Sequence, residues 1–209
     1  MKLLICVSLV MSSIGLLVEG LSTGAPAAAC DSLSPDPTAH LAQPQTTSDV
    51  PYTISLMPFY NASDNTFTFY PGMTYTLGIT NATSGAAAFR GFFVQARLMS
   101  DDTTRVGIFG PTGPVANLSR LSSCPIMTDG ITHNSRVDKD AMYFTWTAPM
   151  GYTGSIRFGF AIVQTRNTYW ANQRTGVVQQ APGSSATGLT ASVTIWAIGI
   201  ALIAALKPF

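Results

Sequence analysis

Along Phe89-Arg90-Gly91-Phe92-Phe93-Val94-Gln95-Ala96-Arg97-Leu98 a period of two sorts the side chains into two sets. Phe92, Val94, Ala96 and Leu98 fall on one face, and Phe93, Gln95 and Arg97 on the other. The stretch predicts one long central strand with a core face and a partly polar face. Arg90 and Arg97 stand among apolar neighbours. Each is expected to lay its stem on the sheet and take its charge to a carboxylate or to free carbonyls, with ligand contact as the alternative. Other segments repeat the period between turn signals: 52–56, 75–80 directly after Pro71-Gly72, 105–109 after an Asp101-Asp102 turn, 142–147 and 155–164. The last two put Met142, Phe144 and Trp146, then Ile156, Phe158, Phe160 and Ile162, on single faces. No segment between the two ends has a helical period. The pattern predicts an all-β chain, an immunoglobulin-like antiparallel β-sandwich. Trp146 is expected between the sheets, with an exposed ligand platform as the alternative.

The two ends read differently. Residues 1–20 combine Lys2, an apolar run and a small-residue close, the pattern of a secretory signal peptide cut before Leu21. Cys6 leaves with that leader, so Cys30 and Cys124 remain, in an oxidising compartment where two thiols of one domain pair. Such a bridge stabilises by about 4 to 5 kcal/mol in the chain-entropy model. Residues 21–45 are rich in Ala, Pro, Ser and Thr without a usable period. They are expected to form an extended arm, pinned by Cys30, rather than a helix. The domain body is placed at 21–175 and a small, polar spacer at 176–188. The apolar tail at 189–209 reads as a glycosylphosphatidylinositol attachment signal with Gly183, Ser184 or Ser185 as the attachment residue, or as a spanning helix. Either way the chain is expected to be tethered with its body outside the cell. Asn61, Asn81 and Asn117 head Asn-x-Ser/Thr sequons, candidate glycan acceptors on exposed loops or strand ends.

Charge and chemistry narrow the function. Without the two ends, eight arginines and Lys139 face nine aspartates. That balance lacks the basic face on which nucleic-acid binding depends, so no nucleic-acid partner is expected. The chain has 2 histidines, His40 and His133. With no second histidine at metal spacing, no carboxylate cluster and no nucleophile elbow, no metal, cofactor or catalytic residue is assigned. His40 is expected to be a hydrogen-bonding loop residue, and Asp101-Asp102 and Asp138-Lys139-Asp140 solvated turns. Tyr169-Trp170 is either a closing plug or a binding-surface aromatic pair.

The central stretch also carries a resemblance. Phe89-Arg90-Gly91-Phe92-Phe93-Val94-Gln95-Ala96-Arg97 resembles the central motif of reeler (reelin N-terminal) domains. Further pieces agree in order: Gly24-Ala25-Pro26 with Cys30, Pro35 and His40; Pro51-Tyr52; Tyr70-Pro71-Gly72; Cys124; Thr132-His133; Trp146 with Ala148-Pro149; Gly154; Val163-Gln164; and Trp170. The resemblance implies the sandwich fold and agrees with the Cys30–Cys124 bridge. It implies an extracellular, non-enzymatic binding module. Its similarity to small insect defense proteins implies recognition of a microbial envelope component such as lipopolysaccharide or lipoteichoic acid. Similarity to spondins and reelin implies the alternative, an adhesion or matrix module with a glycan or protein ligand. The electron transfer of ferric-chelate-reductase-like relatives resides in haem-binding membrane segments and is not expected of this module. Candidate ligand contacts are Arg90, Arg97, His133 and Trp170. A glycosaminoglycan ligand would require the scattered arginines to converge in space.

Overall fold

The computed structural model describes residues 23–46, 48, 50–57, 60–61, 66–122, 124–126 and 128–181. The leader at 1–20, the attachment candidates Gly183, Ser184 and Ser185, and the tail at 189–209 lie outside the described residues. Two single-turn helices, α1 (Ala29–Ser32) and α2 (Pro37–His40), precede the strands β1 (Tyr52–Met57), β2 (Tyr60–Asn61), β3 (Thr66–Phe69), β4 (Thr74–Asn81), β5 (Gly91–Leu98) and β6 (Ile108–Pro111). A 3-10 turn (Ala116–Leu118) leads into β7 (Ser119–Leu121), β8 (Gly130–His133), β9 (Met142–Thr147), β10 (Ser155–Val163), β11 (Tyr169–Arg174) and β12 (Val178–Gln180).

The strands form the expected sandwich. One sheet runs β1-β4-β9-β6 and the other β2-β3-β12-β10-β5-β8-β7, with β11 beside β10. Pairing is antiparallel except between β12 and β3, which run parallel. The sheets meet through aromatic contacts: Trp146 stands edge-on to Phe158 with ring centres 5.3 Å apart, and Phe92 stacks on Phe144 at 6.0 Å. Trp146 is fully buried and donates Nε1–H to the Val106 carbonyl at 3.0 Å, so its one polar atom is satisfied within the core.

Four points refine or depart from these expectations. The strand read at 105–109 begins at Ile108, because Gly107 turns the chain at φ +79° and lies so close that a Cβ there would come 2.2 Å from Trp146 Nε1. Arg105 instead bridges to Arg97. The arm at 21–45 is not wholly extended. Asp36 caps α2 by accepting from the Thr38 amide at 2.9 Å, with Pro37 in the first turn, while Leu33 and Leu41 end α1 and α2 at φ 49° and 54°. Helices of four residues carry no periodicity to read. Finally, β5 is buried on both faces, because the arm covers the side that carries Phe93, Gln95 and Arg97. The ordered body also runs on through β12 to Ala181, whose amide donates to Phe69 O at 2.8 Å, into the stretch read as spacer.

Candidate functional site: a cavity beneath the amino-terminal arm

The arm is fixed to the outer face of the larger sheet by several independent ties. The Cys30–Cys124 disulfide closes as expected. Thr132 Oγ1 accepts from the Ala25 amide at 2.9 Å and donates to Phe92 O at 2.7 Å, joining arm to strand. The Asn172 amide donates to Leu33 O at 2.9 Å, Arg166 Nε to Ala39 O at 3.0 Å, and the Tyr169 hydroxyl to Ala42 O at 2.8 Å. Leu33 is fully buried and sits where Gly159 leaves room; a Cβ at Gly159 would lie 2.5 Å from Leu33 Cδ1.

Arm and sheet do not close completely. Between them lies a cavity of about 350 Å³, within the range that holds small ligands. Phe92, Phe93, Ala161 and Val163 line it from β5 and β10, and Ala25, Pro26, Ala29, Leu33, Pro35 and Ala39 from the arm. Its polar groups are few: Ser34, Asp36 and the two histidines. His133 Nδ1 sits 3.2 Å from the Phe92 amide nitrogen, 3.1 Å from the Phe92 carbonyl oxygen and 3.3 Å from Thr132 Oγ1. His40 Nδ1–H donates to Arg166 O at 2.8 Å, and its ring rests on Tyr169 with centres 4.9 Å apart. Among the described residues no group of three His, Cys, Asp or Glu could hold a metal ion.

Of the four candidate ligand contacts, His133 lines this cavity. Arg90 is exposed and donates Nε–H to Asp138 at 2.7 Å, which lowers the Asp138 pKa and raises that of Arg90. Trp170 is 5% exposed and packs edge-on against Tyr52 at 5.5 Å, among the core aromatics. Arg97, 2% exposed, donates to the carbonyls of Cys30 at 2.7 Å, Asp31 at 3.0 Å and Asp102 at 2.9 Å, and to Gln95 Oε1 at 2.8 Å. Burial is the main cause lowering its pKa from the ordinary arginine value, followed by repulsion from Arg174, with Asp102 opposing. Reading the sequence missed Leu33, Ser34 and Asp36 as site residues. Pro35 entered only as a motif position; His40, expected as a hydrogen-bonding loop residue, does hydrogen-bond but from the last position of α2.

The turns around the aspartates are more than solvated. Asp102 receives Arg174, and Asp31 receives Arg105. Lys139 is 3% exposed and donates to the carbonyls of Arg90, Ser135 and Val137 at 2.7, 2.7 and 2.8 Å. Burial pulls its pKa down to about 8, against the nearby charge of Asp138.

A second feature shares the covered face. Arg157 stands directly opposite Arg97 across the β5–β10 pair, Arg105 bridges to Arg97, and Arg174 pairs two positions along at Gly159. Four arginines scattered in sequence therefore converge. Arg157 and Arg174 line a groove of about 290 Å³ with Asp102, Leu98, Met99 and Asn172. The Arg157 Nε is buried and finds no hydrogen-bond partner among the described residues.

The model of the Reeler domain family matches residues 28–186. The chain belongs to the reeler domain family. It is 35% identical over 162 residues to Defense protein l(2)34Fc of Drosophila melanogaster, covering 76% of this chain and 87% of that protein. It is 31% identical to Putative defense protein 3 of Antheraea mylitta, covering 74% and 83%. Putative ferric-chelate reductase 1 of Danio rerio is 28% identical, but the alignment covers 83% of this chain and only 28% of that protein. Among solved structures, the human F-spondin reeler domain superposes with a TM-score of 0.47 at 18% identity, covering 68% of this chain and 89% of that one. The reeler chain is thus a defense-related family member whose likeness to the reductase is confined to a minor part of that protein.

Proposed function

We propose that this reeler-domain chain is a non-enzymatic extracellular binding protein of innate defense, tethered to a membrane through its carboxyl-terminal segment. Its ligand is an amphiphile of the microbial envelope, such as lipopolysaccharide or lipoteichoic acid, whose apolar part enters the cavity beneath the arm. The observation that carries this reading is the cavity itself: walls of Ala, Pro, Leu, Val and Phe side chains, with hydrogen-bonding groups confined to Ser34, Asp36, His40 and His133. With eight arginines and Lys139 against nine aspartates in the body, attraction to anionic head groups is weak, so apolar burial supplies the affinity. Gly183, Ser184 or Ser185 is the attachment residue for a lipid anchor, with a spanning helix at 189–209 as the alternative tether. Asn81 and Asn117, both exposed, and Asn61 on β2 are the glycan acceptors.

The test is binding of the full chain, made in a secretory host, to lipopolysaccharide and lipoteichoic acid with heparin in parallel. Ala28 lines the cavity yet is exposed, so Ala28→Trp blocks the mouth without disturbing the core. Saturable binding that survives physiological salt and falls at least tenfold in Ala28→Trp supports the reading. Binding that ignores the substitution refutes the cavity as the site. The convergence of Arg97, Arg105, Arg157 and Arg174 favours a second reading, adhesion through a sulfated glycan. It predicts heparin binding that weakens with salt and in Arg157→Gln. The pairing of Arg105 with Asp31 and of Arg174 with Asp102 makes it the weaker of the two.

A further inference from the structure

Three large apolar side chains are exposed together at one end of the sandwich: Met150 at 81%, Met73 at 48% and Tyr70 at 45%. They lie on two loops, 70–73 between β3 and β4 and 148–154 between β9 and β10. Isolated exposed hydrophobics are ordinary, but neighbouring ones held rigidly outward need a reason. These loops are tied to each other: the Gly72 amide donates to Ala148 O at 3.0 Å and the Ala148 amide to Met73 O at 2.9 Å. The Tyr70 amide donates to the Tyr75 hydroxyl at 2.6 Å, and the Met150 sulfur lies over Gly72, where a Cβ would come within 2.2 Å of it. Neither Tyr70-Pro71-Gly72-Met73 nor Ala148-Pro149-Met150-Gly151-Tyr152-Thr153-Gly154 contains an ionisable acid or base other than tyrosine.

A second observation says what covers this end. Strand β12 runs parallel to β3, setting Gln180 opposite Phe69, and Gln180 Oε1 accepts from the Gly154 amide at 3.1 Å. Ala181, the last described residue, is hydrogen-bonded to Phe69, the neighbour of Tyr70. The chain therefore leaves the domain between the two apolar loops, and the sequence beyond contains the uncharged apolar run 193–206. Gly183 to Ser185 follow Ala181 by two to four residues, a reach of at most about 7 to 14 Å. If the tail spans instead, Leu189 is within about 28 Å.

We infer that this end of the domain seats on the outer surface of the bilayer to which the chain is tethered, with Tyr70, Met73 and Met150 at the lipid interface. Tyrosine suits that position through its apolar ring and polar tip, and methionine through its flexible apolar chain. Another loop at this end, 99–107, carries Asp101, Asp102 and Arg105. That side stays in water, so the contact is shallow and one-sided. The inference rests on the tether proposed above.

The experiment uses the full chain from a secretory host, reconstituted into phosphatidylcholine vesicles carrying a nitroxide-labelled lipid. Cys30 and Cys124 are joined to each other, so a fluorophore on Met150→Cys or Met73→Cys reports one position. Val137→Cys is the control, because Val137 is 48% exposed and precedes the far end of β9. The expected result is co-flotation of all three proteins with the vesicles, and quenching at 150 and 73 at least twofold stronger than at 137. Co-flotation with equal quenching at all three positions overturns the seating and leaves the tether standing. Failure to float overturns both.

Discussion

Arg97 offers the sharpest separation of a structural from a ligand-binding role. Replacing it with methionine keeps the buried stem and deletes a guanidinium that donates to Cys30 O, Asp31 O, Asp102 O and Gln95 Oε1 at 2.7 to 3.0 Å. Each hydrogen bond from a charged donor contributes about 1.5 to 3 kcal/mol net. The losses do not simply add: Cys30 O retains a bond from Arg105 at 2.8 Å, and the edges near Asp31 and Asp102 rehydrate. Relief of the desolvation of a side chain only 2% exposed offsets a further part. Gln95 Oε1, fully buried, loses its donor outright. The expected cost of Arg97→Met is about 3 to 5 kcal/mol, as for other broken buried charge networks. That corresponds to a fall in Tm of about 6 to 20 °C for a domain of this size. Arg97→Lys should recover less than half, because one ammonium cannot reach acceptors on two sides of a planar fork. Urea unfolding under oxidising conditions measures both. A cost within about 0.5 kcal/mol for Arg97→Met would refute the reasoning and return Arg97 to the ligand contacts.

Three further outcomes follow from the same contacts. Replacing Cys30 and Cys124 together by serine opens a loop with a sequence separation of 94 and should cost about 4 to 5 kcal/mol; proteolysis would then begin within residues 24–45, and an unchanged unfolding midpoint counts against the clamp. Lys139 has its folded pKa depressed from 10.5 to about 8, so between these values the unfolded chain holds a proton that the folded one has lost, and stability should rise with pH through that window. By pH 9.5 the gain is about 2 kcal/mol; a flat urea midpoint between pH 7.5 and 9.5, or the same slope in Lys139→Met, rejects it. Gly107→Ala places a Cβ against Trp146 at φ +79° and should cost about 3 kcal/mol, whereas Gly113→Ala, at φ +76° with nothing within 4 Å, should cost about 1; equal costs by thermal unfolding would remove the steric argument.

The parts of the fold legible in the sequence were those in which one face meets the core. Residues 142–147 alternate buried and half-buried without exception, and that strand falls where the period put it. β5 is legible for the same reason, and its second face is partly polar as expected, but the period does not show that Phe93, Gln95 and Arg97 are also buried, because a segment some sixty residues earlier lies over them. No local pattern in that segment announces this. Its ties are single atoms, Thr132 Oγ1 on β8 and Asn172 N and the Tyr169 hydroxyl on β11, all more than eighty residues further along the chain. β3 carried a readable signal, Thr66-Phe67-Thr68-Phe69, that was lost inside a polar stretch. β12 and β7 are three residues each, too short for any period. The cavity was illegible for the same reason as the arm, since its two walls are distant in sequence and His133 alone of its lining stood among the candidate ligand contacts.

The cavity and the apolar end lie at opposite ends of β5, and this constrains what the cavity can meet. Gly91 pairs with Val163, a cavity residue, at one end of the β5–β10 ladder, while Leu98 pairs with Ile156 at the other, beside loop 148–154. Eight residues of strand separate them by about 23 Å. If Tyr70, Met73 and Met150 rest on the bilayer, the cavity lined by His40 and His133 stands clear of it, beyond the reach of a lipid still seated in that bilayer. A lipid of the chain's own membrane would have to leave the bilayer completely before entering, whereas an amphiphile displayed on an approaching particle meets the mouth first. On the proposed function and seating, that orientation would separate foreign from resident lipid without any difference in head-group chemistry. It also predicts that inverting the domain, by moving the tether to the amino-terminal arm, abolishes capture of particle-bound lipopolysaccharide while leaving binding of the dispersed molecule intact.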